Sequence, residues 1–196
     1  MSSKGGEYER NIAMDLSRWW SGAPDTDRLC WRTSQSGGRA TTRKKAGKKV
    51  RGHCGDLCAV DRDMEAFFKV VTLEVKRGYN KTTCTLSDIL DKSASAGKQE
   101  LESWIRQARR AAKLAGTSYW MIIHKRDGKR VPVVYMPMEL PAGLFGDRWW
   151  MRFRHPHSRS SCQIEGKQRL IFCCTLAAFL EAFTRKDFET LVGKLK

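Results

Sequence analysis

The chain of 196 residues carries 37 Lys and Arg against 21 Asp and Glu, a formal net charge of +16. With 41% hydrophobic residues it has the material for a real core, which excludes a disordered chain. A charge this far from neutral exceeds what solubility needs and points to a polyanionic partner, nucleic acid first. The opening MSSKGGEYER is polar and lacks the apolar run of a secretory leader. The longest apolar run, LIFCCTLAAFLEAF, is short for a membrane span and contains Glu181. The expectation is a soluble cytoplasmic protein with no membrane partner. The seven cysteines (Cys30, Cys54, Cys58, Cys84, Cys162, Cys173 and Cys174) are odd in number and form no CxxC pair, which argues against a disulfide framework. His53, Cys54 and Cys58 cluster but match no common structural-zinc spacing, so they read as small strand side chains and no zinc is expected.

In chain order, residues 3–20 predict a helix, with Tyr8, Ile12, Leu16 and Trp19 at helical spacing and Ala13 and Trp20 widening the stripe. Glu9 borders that stripe. LCWRTS reads as a short strand. A basic loop over residues 37–52 follows, with Arg39, Arg43, Lys44, Lys45, Lys48, Lys49 and Arg51 and no apolar periodicity. Charges of one sign this dense do not pack in a core; next to a candidate site they suit phosphate contacts. GDLCAV and FKVVTLEVKRG read as two strands of a β-hairpin joined at DRDMEA, with Asp61 and Asp63 as turn residues. LSDIL suggests a short helical turn. Residues 99–115 predict a helix, with Leu101, Trp104, Ala108, Ala111, Ala112 and Ala115 on a narrow face and Gly116 as C-cap. SYWMIIH and VPVVYMP read as strands around an Asp127-Gly128 turn. RWWMRFR and RLIFCCT add two more strands, with HPHSRSSCQIEGKQ between them, before two terminal helices. No repeat or linker divides the chain. The order predicts one α/β or α+β domain over residues 1–196, built on a single mixed sheet.

The charges inside the apolar runs carry the chemistry. Strand side chains alternate faces, so Glu74 and Lys76 share one face while Leu73 and Val75 point to the other. If the two strands pair, Asp56 lies beside Glu74, with Lys76 close by. Adjacent carboxylates repel unless a cation or proton sits between them. Oxygen ligands with open positions suit Mg²⁺, with Mn²⁺ as a substitute. A hard cation, a lysine and a basic loop together suit phosphodiester hydrolysis. On these residues alone, a wet strand face explains the charges as well as a site does. Arg106, Arg109 and Arg110 fit a solvated helix face equally well. Trp149 and Trp150 suit core or subunit packing better than base stacking, and His155 and His157 flank a loop proline rather than forming a metal pair.

SKGGEYERNIAMDL, GDLCAV and LEVKRG together resemble the PD-(D/E)XK nuclease superfamily, in particular its Holliday-junction-resolvase-like branch and related bacteriophage endonucleases. Archaeal resolvases of that branch open with Lys-Gly and then Glu-Arg on the first helix, as Lys4-Gly5 and Glu9-Arg10 do here. A strand with a metal-binding Asp follows, matched by Asp56, and then Glu-x-Lys, matched by Glu74, Val75 and Lys76. The resemblance covers residues 3–78. It extends to WIRQARRAAKLAG and YWMIIHKRDGKR, similar to a phage subgroup in which a helix glutamine, here Gln107, faces the site. The proline of the superfamily's name is replaced by Gly55.

The resemblance implies a restriction-endonuclease-like core, a central mixed β-sheet flanked by helices. It implies a Mg²⁺-dependent endonuclease in a prokaryote or phage-infected cell, acting on duplex or branched DNA. Asp56, Glu74 and the Val75 carbonyl would bind metal, Glu9 would support it, and Lys76 would serve the attacking water. Arg77 and Lys81 would join the basic loop on the phosphates. Resolution of a four-way junction needs paired cuts and so implies a homodimer. The alternative is a basic nucleic-acid-binding or assembly protein with an inactive nuclease fold.

Overall fold

The N-terminal apolar stripe folds as helix α1, Lys4–Ser21. The structure is a computed structural model that describes residues 4–26, 28–33, 54–79, 100–129, 131–154 and 156–195. Tyr8, Ile12, Ala13, Leu16 and Trp20 are buried along one face of α1. Ser17 shares that face. Its hydroxyl donates to Ala13 O at 2.8 Å and accepts from the N–H groups of Leu29 and Cys30 at 3.1 and 3.2 Å. One buried hydroxyl therefore ties strand β1 (Cys30–Arg32) to the helix and satisfies two strand donors that would otherwise be stranded. Strand β2 (Leu57–Ala59) pairs antiparallel with β1, in register Cys30↔Ala59.

From β2 the chain runs through a 3-10 turn (Arg62–Met64) into α2 (Glu65–Val70) and then β3 (Val71–Arg77). Helix α3 (Glu100–Ala115) crosses back to β4 (Tyr119–Lys125), which lies parallel to β3 with Glu74 opposite Ile122 and Lys76 opposite His124. Gly116 ends α3 at φ 73°, its N–H on Ala112 O. The chain continues through β5 (Val133–Pro137), α4 (Glu139–Phe145), a 3-10 segment (Gly146–Arg152), β6 (His157–Ile164), β7 (Lys167–Thr175), α5 (Leu176–Ala182) and α6 (Arg185–Lys194). Among the described residues, β3, β4, β5, β7 and β6 form one five-stranded sheet in that order, parallel at β3–β4 and antiparallel elsewhere.

The sheet is apolar on both faces. One face, with Leu73, Val75, Met121, Ile123 and Phe172, packs with α1, α2 and the C-terminal helices; the other, with Trp120, Ile122, Tyr135 and Ile171, packs under α3. A mixed sheet covered by helices on both sides is the restriction-endonuclease-like core that the resemblance implies.

Four sequence readings change. The hairpin over residues 55–78 does not form, because FKV closes α2 and a helix separates β2 from β3. The apolar residues Phe67 and Val70 are buried on a helix face rather than a strand face, a period that so short a run does not distinguish. The single sheet becomes two, since β2 ladders with β1 and reaches β3 through one backbone bond, Asp56 N–H to Leu73 O at 2.8 Å. RWWMRFR is 3-10 rather than strand, with Trp149 buried against Phe153 and Phe172 and Trp150 exposed. HPHSRSSCQIEGKQ contains strand β6, and its tight turn has both Glu165 and Gly166 at positive φ, the hairpin turn whose twist matches the flanking strands. The basic loop, LSDIL and Lys81 lie outside the described residues.

Candidate active site

Asp56 sits where β2 meets β3. Its N–H donates to Leu73 O, and its Oδ2 accepts from the Val75 N–H at 2.8 Å. On the other side, the Thr33 N–H donates to Asp56 O at 2.9 Å and the Thr33 hydroxyl to Gly55 O at 2.8 Å. The carboxylate is therefore held by the β3 backbone at Val75, and the Asp56 backbone itself is pinned between Thr33 and Leu73. Gly55 makes the close approach possible. Its φ is 81°, and a Cβ there would stand 2.5 Å from Leu73 O. The superfamily's proline cannot occupy this position, because its ring fixes φ near −65°.

On β3, Glu74 and Lys76 do share a face, and it is the face covered by α3. Glu74 Oε2 accepts from Lys76 Nζ at 3.0 Å and from Gln107 Nε2 at 2.8 Å, and Lys76 Nζ also donates to Gln107 Oε1 at 3.1 Å. The three side chains close a hydrogen-bonded ring in which the amide of Gln107 offers its oxygen to the cation and its nitrogen to the carboxylate. Lys76 and Glu74 are almost enclosed, at 12% and 4% side-chain exposure, so the pair is scarcely screened by solvent. Burial, followed by the Asp56 carboxylate, pushes the Glu74 carboxyl up to about 7, with Lys76 opposing the shift.

That shift predicts a pH dependence in metal-free protein. The folded-state pKa of Glu74 lies above its unfolded value, so the stability it contributes is full at low pH. It is lost as pH rises towards the folded value of about 7. Glu74→Gln removes the titrating group. Its urea midpoint in EDTA should gain on wild type between pH 5 and pH 8, and an unchanged difference would show that Glu74 ionises without penalty.

Of the sequence-derived residues, Asp56, Glu74, Val75, Lys76 and Gln107 are brought together. Glu9 stands on α1 in an ion pair with Arg32 of β1. Arg32 was missed in the sequence; its one signal was a charge inside the short run CWRT. Its guanidinium lies close over Gly6, where a Cβ would be 3.1 Å from the guanidinium nitrogens and the arginine would have to shift slightly. Arg77 lies at the other face of β3, ion-paired to Asp127 at 2.9 Å and over the Tyr8 ring at 5.4 Å. Arg109 is paired with Glu165, and His157 packs among Trp149, Phe153 and Phe172. Asp61 caps the 3-10 turn, and Asp63 pairs with Arg185. Cys54 is a buried neighbour of Glu74: burial, then the Glu74 charge, raises its thiol pKa.

The donors suit a hard divalent ion. Two buried carboxylates meet with one lysine to offset them among the described residues, an arrangement that a bound cation relieves. Among the described residues no group of three or more His, Cys, Asp or Glu is placed to hold a metal. A divalent ion held here would meet two carboxylates and backbone oxygen, the hard-donor type that such cations take.

Comparison with known proteins agrees with this geometry. Residues 1–190 match the family model described as "Phage putative PDDEXK endonuclease". No curated protein and no solved structure matches the chain. Nuclease families of this superfamily generally use divalent metals and act on DNA. A match over nearly the whole chain, together with an Asp56…Glu74-Val75-Lys76 cluster at the meeting of two strands, makes this chain a member of the phage PD-(D/E)XK endonuclease family.

Proposed function

We propose that the protein is a Mg²⁺-dependent DNA endonuclease of a single domain, selective for branched DNA such as a four-way junction and active as a homodimer. The observation that carries the reading is the Asp56–Glu74–Lys76–Gln107 cluster around β3, in which the two carboxylates are buried and Lys76 and Gln107 close over Glu74. Asp56, Glu74 and the Val75 carbonyl would hold the ion, which supplies Lewis acidity at the scissile phosphate and a water of lowered pKa. Asp56 is fixed by the Val75 N–H, so one carboxylate oxygen is oriented before any ligand arrives. Lys76 would orient the attacking water or meet the charge that develops on the phosphate. Gln107 holds Lys76 and Glu74 in register, and Glu9, oriented by Arg32, would support the ion through water. Arg39, Arg43, Lys44, Lys45, Lys48, Lys49, Arg51, Arg77 and Lys81 would grip phosphates, with affinity that falls steeply as salt rises.

The test incubates folded protein and Mg²⁺ with linear, nicked, flapped and four-way substrates. Metal-dependent cleavage, fastest on the branched forms, is expected; no cleavage of any substrate rejects the enzyme reading. Gln107→Leu should slow cleavage several-fold while leaving DNA binding intact, the scale of one lost positioning hydrogen bond. An unchanged single-turnover rate would reduce Gln107 to a bystander.

A further inference from the structure

The chain leaves β3 through two residues in left-handed backbone, Gly78 at φ 94° and Tyr79 at φ 66°. Glycine adopts that region freely, whereas tyrosine is strained in it. The turn is fixed from beneath. The Gly78 N–H donates to Lys125 O at 3.0 Å, and His124 Nε2 lies 3.2 Å from Gly78 O. His124 is buried and is the β4 partner of Lys76. The Tyr79 ring packs edge-on against Trp104, centroids 4.7 Å apart, and Trp104 in turn packs against His124 at 4.8 Å. Trp104 lies one turn before Gln107 on α3, so Tyr79 stands on the same side of the sheet as Glu74 and Lys76. Tyr79 is 40% exposed and packs on Trp104, a member of the apolar cluster under α3.

We propose that Tyr79, backed by Trp104 and His124, is a nucleobase-stacking site at the rim of the active site. It takes a base beside the scissile phosphate that is unpaired or unstacked. This deepens the nuclease reading and rests on it. An aromatic face is a sequence-tolerant platform for any base. Inside an intact duplex both faces of each base are already covered, so the ring is offered a partner only at a branch point, a flap or a frayed end. A half-exposed aromatic ring is unfavourable in the free protein, and a stacked base covers it. Selectivity for branched DNA then comes from a residue outside the metal cluster.

The test reads binding without cleavage, in EDTA. Four-way and linear DNA carry 2-aminopurine at the branch point and at the matching duplex position. Wild type and Tyr79→Phe should bind the junction and change its fluorescence. Tyr79→Ala and Tyr79→Gly should bind it about tenfold more weakly without that change, the scale of one lost base stack, and bind linear DNA as wild type does. Tyr79→Gly relieves the backbone strain, so its urea midpoint controls for folding. The proposal is overturned if the Ala and Gly variants match wild type on the junction, if they lose both DNAs equally, or if wild type binds no DNA. If the stacking signal appears but Mg²⁺ brings no cleavage, the enzyme reading fails while the base site stands.

Discussion

Lys76→Ala is expected to lower the Mg²⁺-dependent single-turnover cleavage rate by about 10²–10³-fold while DNA affinity stays near wild type. Among the described residues the Lys76 ammonium is the cation bonded within the carboxylate cluster, to Glu74 and Gln107, and it is nearly enclosed. A charge in such surroundings acts strongly on a developing phosphorane charge, because little solvent intervenes. Asp56→Ala and Glu74→Ala, which remove the proposed ligands of the ion, should lose cleavage as well. Their EDTA urea midpoints control for folding, since Glu74→Ala leaves the enclosed Lys76 ammonium without its carboxylate and Asp56→Ala leaves the Val75 N–H without its acceptor. Cleavage at wild-type rates by all three variants would place the chemistry elsewhere on the chain.

Gly55→Ala is expected to destabilise the protein by about 3 kcal/mol or more and to abolish cleavage at the same time. Two costs coincide at this residue. An L side chain is strained at φ 81°, and its Cβ would lie 2.5 Å from Leu73 O and 3.0 Å from Thr72 Cγ2. The obstructing carbonyl is backbone, so it cannot rotate away as a side chain would. Relief requires β2 to move off β3, which stretches the Asp56 N–H bond to Leu73 O and carries the Asp56 carboxylate away from Glu74. Urea denaturation and the cleavage assay check the two effects separately. An unshifted midpoint would mean that β2 and β3 are not locked together at Gly55.

The grouping of Glu74 with Lys76 was legible because strand geometry is short-range. Alternation alone puts Glu74 and Lys76 on one face and Leu73 and Val75 on the other. Resemblance supplied Gln107, and α3 does place it over that face. The period-3.6 patterns of α1 and α3 also survived, since each buries a stripe longer than three turns. The errors fell on short apolar runs. FKV and RWWMRFR carry no period long enough to separate a strand from a helical turn. HPHSRSSCQIEGKQ concealed β6 because an edge strand needs no apolar face, only a partner ladder and a turn. Arg32 was missed for a related reason: its value lies in Glu9, which is distant in sequence and adjacent only once α1 packs on β1.

The sequence by itself determined which residues share a face, where the long helices run, and that two carboxylates and a lysine occur at strand spacing beside a strongly basic segment. These follow from local periodicity and composition, which need no knowledge of neighbours. Only the tertiary structure decided that the chain entering β2 meets β3 at Gly55 and Asp56, that α3 lays Gln107 across Glu74 and Lys76, and that Arg32 holds Glu9. Those outcomes depend on non-local packing and on which buried hydrogen-bonding groups must be satisfied together. A residue's spacing along the chain does not encode either one.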